Sequence, residues 1–288
     1  MKTAFVFPGQ GSQAVGMGKG LAEKYLDEAS QLLGFDLKKL CFEGPEKELK
    51  KTEITQPAIL SVSIAAFERI KDKGLPDAVA GHSLGEYSAL VAASALSFQD
   101  AVKVVHLRGK FMQQAVPLGE GAMSAIIGAD NDKVKQVCNE VGNVWPANFN
   151  SPGQVVISGK RASVETAGAR LKAAGAKRVV PLAVSAPFHC PLMQPAADRL
   201  KAELDKIEVK DAQIPLVANV TADYATSGPE IRRLLVEQMT SAVLWEDSVK
   251  KMLGDGLNSF VEVGTGKVLS GLIKKIDRAA ATKTYLEV

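Results

Sequence analysis

The chain is short of cysteine, histidine and aromatic residues, and it has no long hydrophobic run. Its 288 residues include three cysteines, Cys41, Cys138 and Cys190. None stands in a C-x-x-C pair and the count is odd, which argues against a disulfide framework and makes the cytoplasm the default compartment. No stretch of about 18 apolar residues occurs, so no membrane span is expected. The opening MKTAFVFPGQGSQ has one Lys and a brief apolar stretch. That is too short for a signal peptide and reads better as a buried first strand. Basic tracts with interleaved aromatics are missing as well. A net charge of +3, spread along the chain, makes nucleic acid a poor partner. A local basic patch for an acidic partner protein stays open. Any chemistry that needs an imidazole must choose among His82, His106 and His189.

What is present is enough apolar content, 46%, for a sizeable core in one large domain or a large domain with a small insert. Residues 3–7 read as a buried strand ending at Pro8-Gly9-Gln10-Gly11-Ser12-Gln13. Helical signals then dominate residues 14–72, with breaks expected at Gly44-Pro45 and Gln56-Pro57. A short strand over 78–80, a tight turn over 81–85, a helix over 86–93 and an amphipathic helix over 100–116 follow. Strands alternating with helices predict an α/β architecture with a parallel sheet. Residues 121–188 differ. Their order is strand (122–127), helix (132–140), strand (144–148), strand (155–158), helix (161–174) and strand (178–182). That β-α-β-β-α-β order is ferredoxin-like and predicts a small domain over 121–188, inserted into a larger one made of 1–120 and 189–288. Later strands are expected near 214–219 and 260–263. No internal repeat is visible.

The sharpest chemical signal is Gly81-His82-Ser83-Leu84-Gly85, a G-x-S-x-G turn after a strand and before a helix. A nucleophile on such a turn is strained, and bulky residues two positions to either side would clash. The following helix points its positive end at the site, and the N–H of Leu84 can donate to an oxyanion. The plainer alternative is a glycine-flanked turn with an ordinary Ser; the strand–turn–helix context weighs against it. A serine needs a base. His82 is packed beside the nucleophile and His106 lies within a helix, so a structural role suits both. His189 lies between Pro187 and Pro191, whose fixed φ angles suit an imidazole held in place. The turn around Gln10 lacks the G-K-[ST] of a P-loop and the third Gly of a dinucleotide fingerprint. It is either a glycine-requiring turn or a second oxyanion donor through the N–H of Gln10. Arg108 sits at the edge of an apolar helix face. There it is either a surface Arg with a buried stem or a fork waiting for a carboxylate.

Together these residues resemble the malonyl-CoA:acyl carrier protein transacylases and, more broadly, the acyltransferase domains of fatty acid and polyketide synthases. The matching stretches are FPGQGSQAVGMG, ITQPAIL, AGHSLGEYSALVAA, LRGKFMQQAVP, NFNSPGQVVISG, VSAPFHCPLM and VEVGTGKVLSGL, in family order over nearly the whole chain. The resemblance implies a large α/β-hydrolase-like domain carrying a small ferredoxin-like one, with the active site in the cleft between them. It implies a Ser83–His189 dyad, an oxyanion hole from the backbone of Gln10 and Leu84, and Arg108 as the ligand of the malonyl carboxylate. It implies that the main-chain carbonyl of Gln238, rather than an Asp, orients the histidine. For coenzyme A it suggests Gln154, Lys177 and Arg178. The last two precede the strand leading to His189 and are otherwise two solvated charges. Phe188, just before the base, would crowd an α-methyl branch and so resembles the malonyl type. Thr265 stands where many relatives have Pro.

The implied activity moves a malonyl group from malonyl-CoA to the thiol of holo acyl carrier protein through an acyl-serine. The coenzyme A thioester is a substrate, and neither a metal nor another cofactor is expected. The implied state is monomeric. A serine esterase or thioesterase is the alternative within the fold. A catalytically silent carrier-binding module is a third reading, against which the presence of both dyad residues argues.

Overall fold

The computed structural model describes residues 2–184 and 186–288. The chain runs through β1 (Lys2–Phe7), α1 (Glu23–Leu33), α2 (Leu37–Glu43), α3 (Glu46–Leu49), α4 (Thr52–Ile70), β2 (Ala78–Gly81), α5 (Leu84–Ala92) and α6 (Phe98–Gln114). Then come β3 (Gly121–Ile127), α7 (Asn131–Val141), β4 (Val144–Ser151), β5 (Gln154–Lys160), α8 (Arg161–Ala173) and β6 (Arg178–Pro181). The remainder is α9 (Gln194–Leu204), β7 (Leu216–Val217), β8 (Tyr224–Ala225), α10 (Gly228–Glu237), α11 (Trp245–Gly254), β9 (Leu257–Glu262), α12 (Val268–Ile276) and β10 (Ala281–Thr284).

The larger sheet has the order β10-β9-β1-β2-β7-β8. Its first five strands are mutually parallel, and β8 closes the edge antiparallel to β7. The central strands are buried on both faces, which is why they read as apolar runs instead of alternating patterns. Successive residues of β1 still serve opposite layers. Phe5 and Phe7 pack against Phe67 of α4, with ring centres 6.4 and 6.5 Å apart. Ala4 and Val6 join Phe260, Val249, Leu269 and Ile273 in the layer formed with α11 and α12.

The smaller sheet is antiparallel, ordered β4-β5-β3-β6. One face carries α7 and α8 over a core of Ile126, Val137, Val144, Ile157, Val164 and Leu171. Met123, Ala147 and Val156 belong instead to the core of the large unit. Backbone bonds stitch the two together: Phe149 N–H donates to Val243 O and Val243 N–H to Ala147 O, each at 2.9 Å. The fold is therefore α/β, an α/β-hydrolase-like large unit with a ferredoxin-like small one.

Three local expectations need correction. Residues 15–21 form turns, and helix begins only at Glu23. The strand expected near 214–219 is reduced to Leu216–Val217, and β8 and β10 are short edge strands with no marked sequence pattern. Pro57 does not break its helix, because α4 runs through it. A proline there removes the donor that Glu53 O would have received. His106 on α6 supplies the missing one, its Nδ1–H lying 2.8 Å from Glu53 O. The helix survives because a neighbour repairs it.

The serine turn is built from backbone-to-backbone contact. A methyl at Gly81 would sit 1.9 Å from Gly85 C, and one at Gly85 would sit 2.0 Å from Phe7 O. One at Gly9 would sit 2.2 Å from His82 O. By contrast, a methyl at exposed Gly271 of α12 meets nothing within 4 Å. Gly81→Ala should therefore destabilise at or above the upper end of the ~1–3 kcal/mol usual for overpacking. Gly271→Ala should be neutral or stabilising by about 0.5–1 kcal/mol. Denaturant midpoints of the two variants check this, and equal shifts would refute the packing argument.

Candidate active site

Ser83 lies between β2 and α5 with φ 51° and ψ −105°, a conformation costly for any residue with a Cβ. It is held there from the turn after β7: its N–H donates to Asn219 Oδ1 at 2.7 Å, while Asn219 Nδ2 donates to Gly81 O at 2.6 Å. The hydroxyl faces His189 Nε2 at 2.7 Å. His189 also has positive φ, 57°. It is almost fully buried, and its Nδ1 lies 2.8 Å from the main-chain O of Gln238. A carbonyl only accepts, so Nδ1 carries the hydrogen and Nε2 presents its lone pair to the serine. That is the tautomer a general base requires.

Arg108 is completely buried. Nη2 donates to Ser83 Oγ at 3.1 Å and to Gln238 Oε1 at 2.9 Å, and Nη1 donates to Gln56 Oε1 at 2.9 Å. All three acceptors are neutral. Burial holds the guanidinium below its ordinary pKa. Burial, with the Arg108 charge added to it, also pushes His189 down to about 3. Glu86, on the third residue of α5, accepts from Gln238 Nε2 at 2.9 Å and Asn219 N–H at 3.0 Å. Burial pushes its carboxyl up to about 7, opposed by those two bonds and by Arg108.

Ser83, His189 and Arg108 share a small cavity of about 110 Å³ with Gln10, Gln56, Leu84 and Phe188. Leu84 is the first residue of α5, so its N–H belongs to a helix N-terminus. The Gln10 loop is pressed onto the serine turn at Gly9, and Ser12 Oγ donates to Gly9 O at 2.9 Å. A groove of about 340 Å³ shares Gln10, His82, Asn148 and Leu182 with the cavity and extends to Gln154, Val268, Leu269 and Leu272. Gln154 Oε1 accepts from Lys275 Nζ at 2.9 Å. Lys177 and Arg178 are exposed and line neither space. The stem of Lys177 covers Gly128 instead. His82 lies with its Nε2 2.8 Å from Asn150 Oδ1 and its ring beside that of Trp245.

Sequence reasoning missed Gln56, Glu86, Asn219 and Lys275. Glu86 had left a trace, a carboxylate within the otherwise apolar LGEYSALVA. Gln56 lies in ITQPAIL but was read only as part of a helix break. Among the described residues no cluster of three or more His, Cys, Asp or Glu is arranged to hold a metal ion. No described helix is long and apolar enough to cross a membrane.

A strained serine at a strand–helix turn, a histidine in the base tautomer and a buried cation beside them define a serine-dependent acyl-transfer site. Residues 4–285 match the family model of the acyl transferase domain, and the chain belongs to that family. It is 52% identical to the malonyl CoA-acyl carrier protein transacylase of Bacillus subtilis, over 98% of this chain and 92% of that protein. It is also 52% identical to the transacylase of the same name from Escherichia coli K12, over 95% and 92%. An acyl carrier protein S-malonyltransferase from Vibrio cholerae superposes with a TM-score of 0.96 at 45% identity, over 99% of this chain and 96% of that one. A malonyl-transacylase solved in complex with its type II PKS acyl-carrier protein superposes with a TM-score of 0.95 at 47% identity, over 99% and 95%.

The depressed His189 makes a pH prediction. A base whose pKa lies well below the ordinary 6.5 stays neutral, and therefore active, on acidification through pH 6.5. Labelling of Ser83 by a small fluorophosphonate should hold its rate from pH 8 to about pH 5, where an ordinary histidine would already have lost most of its activity. Arg108→Gln removes a positive charge and should move the acid limb to higher pH. A wild-type midpoint near 6.5 would contradict the electrostatic assignment.

Proposed function

We propose that this chain transfers a malonyl group from malonyl-CoA to the phosphopantetheine thiol of an acyl carrier protein, through a malonyl ester on Ser83. The observation that carries the proposal is Arg108: a fully buried guanidinium whose hydrogen bonds go to neutral oxygens and whose Nε has none among the described residues, 3.1 Å from Ser83 Oγ in the same small cavity. A buried cation favours an anionic ligand strongly. Malonyl places a carboxylate one methylene from the thioester carbon, at the reach this spacing requires. The family membership and the names of the relatives point the same way.

In this reading His189 Nε2 takes the Ser83 proton as Oγ attacks the thioester carbon. The N–H groups of Leu84 and Gln10 receive the oxyanion. The intermediate collapses, the C–S bond breaks, and the proton returns from His189 to the leaving coenzyme A sulfur. The carrier thiol then gives its proton to His189, attacks the acyl-serine, and Ser83 recovers its proton on release. Gln238 holds the imidazole through its main-chain oxygen. Phe188 crowds an α-branch, and the groove at Gln154 suits the pantetheine arm, with Lys177 and Arg178 left to meet phosphates from the surface. Residues 121–188 act as the inserted small domain between 1–120 and 189–288. The enzyme needs no metal or cofactor and works as a cytoplasmic monomer in fatty acid or polyketide synthesis. A simple esterase has no use for Arg108.

Ser83→Ala should abolish covalent labelling by radiolabelled malonyl-CoA. His189→Ala should cost roughly two to four decades in rate, the usual size for a positioned base. Arg108→Ala should lower malonyl transfer sharply and leave acetyl transfer the same or better, and Arg108→Lys should rescue poorly because an ammonium cannot form the fork. The decisive quantity is the malonyl-to-acetyl ratio of kcat/KM; an unchanged ratio in Arg108→Ala sinks the carboxylate role.

A further inference from the structure

Glu86 occupies the third position of α5, where a glutamate ordinarily reaches back to the N–H of the helix cap. Here Asn219 is interposed. Ser83 N–H, at the cap position, donates to Asn219 Oδ1, and Asn219 N–H donates in turn to Glu86 Oε2. The same carboxylate oxygen takes a hydrogen bond from Gln238 Nε2 at 2.9 Å. The Gln238 side chain thus lies between two groups of fixed polarity. A guanidinium only donates, and Glu86 Oε2 already accepts from Asn219 N–H, so the amide is oriented with nitrogen toward Glu86 and oxygen toward Arg108. Neither Glu86 nor Gln238 is more than 1% exposed, so no water competes for those ends. Gln238 Oε1 then holds Arg108 Nη2, the nitrogen that also touches Ser83 Oγ.

We propose that Glu86 is a positioning residue for acyl-group selection: it fixes the Gln238 amide, which aims the Arg108 guanidinium at the carboxylate of the acyl group. The proposal rests on the carboxylate role given to Arg108 above. The Glu86 carboxylate bonds neither Ser83 nor His189, its partners being Asn219 N–H and Gln238 Nε2, and it acts through Gln238. It also supplies negative charge near Arg108 without pairing with it. A direct Glu86–Arg108 ion pair would occupy the fork that the substrate needs, and the interposed amide prevents that. The one buried acid near the site therefore steadies the cation while leaving it available.

The test is the malonyl-to-acetyl ratio of kcat/KM in Glu86→Met, which keeps the length but removes the acceptor. Losing a hydrogen bond to a charged group should lower that ratio by roughly tenfold or more. Glu86→Gln, which retains one acceptor oxygen, should restore most of it. In an Arg108→Ala background, Glu86→Met should change the ratio no further, since the two act in series. If Glu86→Met does not fold, Gln238→Met removes the same link while keeping the main-chain oxygen under His189, and should lower the ratio alike. Equal loss of malonyl and acetyl transfer, or a ratio change that persists without Arg108, would overturn the positioning role and leave Glu86 a merely structural acid. If Arg108→Ala alters the ratio but neither Glu86→Met nor Gln238→Met does, this inference fails alone. If Arg108→Ala leaves the ratio unaltered, the carboxylate reading fails and takes this one with it.

Discussion

A guanidinium with no exposed surface dominates this molecule's interior. Removing a charge from water costs several kcal/mol even after relaxation, so its surroundings must compensate or the chain would not fold this way. Gln56 from α4, Gln238 from the end of α10 and Ser83 from the turn before α5 converge on Arg108 from α6. Three parts of the chain far apart in sequence thus meet at one cation. That cation also acts on its neighbours. It adds to burial in keeping His189 neutral, and it opposes burial at Glu86. One charge placement thus acts on both the imidazole and the buried acid, on top of the burial that perturbs each of them first.

Ser83 depends on a different constraint, the absence of side chains around it. Gly81, Gly85 and Gly9 each let one backbone touch another at distances no Cβ permits. The strained Ser83 backbone is tolerated because this packing, with Asn219 bonded above and below it, leaves the turn no other shape. The two constraints meet at Ser83. Packing fixes where Oγ lies, and the Arg108–His189 pair fixes what it can do.

Much of the fold was legible because its signals are periodic. The β-α-β-β-α-β order over 122–182 could be read from alternating and helical patterns before any coordinates, and the central parallel strands from their apolar runs. The two-residue strands β7 and β8 were not legible in the same way, since so short a segment has no period to detect. At the site, Ser83, His189 and Arg108 stood in recognisable stretches, and the structure brings His189 and Arg108 each within hydrogen-bond reach of Ser83. Gln56 and Glu86 are polar residues within largely apolar helices, and Asn219 sits in the turn after β7. Their meaning lies in partners 52, 152 and 136 positions away, which no local pattern names, although a carboxylate in so apolar a helix marks Glu86 as unusual. Lys177 and Arg178 show the reverse case, a basic pair conspicuous in sequence that lies outside both cavities.

The misreading of Pro57 leads back to the site. Sequence rules give a proline after Gln56 as a break, and a break there would have left Gln56 free of any fixed direction. Instead α4 continues, and the carbonyl that Pro57 strands, Glu53 O, is taken by His106 of α6. Close approach of α6 is possible because Gly109 stands where a Cβ would lie 2.7 Å from Glu53 Cα and Thr52 O. His106, Arg108 and Gly109 lie within four residues of α6, and Glu53, Gln56 and Pro57 within five residues of α4. The bond that repairs the helix and the glycine that admits it therefore also bring Arg108 Nη1 to 2.9 Å from Gln56 Oε1. A proline tolerated at the cost of a backbone hydrogen bond becomes the means by which two helices dock closely enough to hold a buried cation beside the serine.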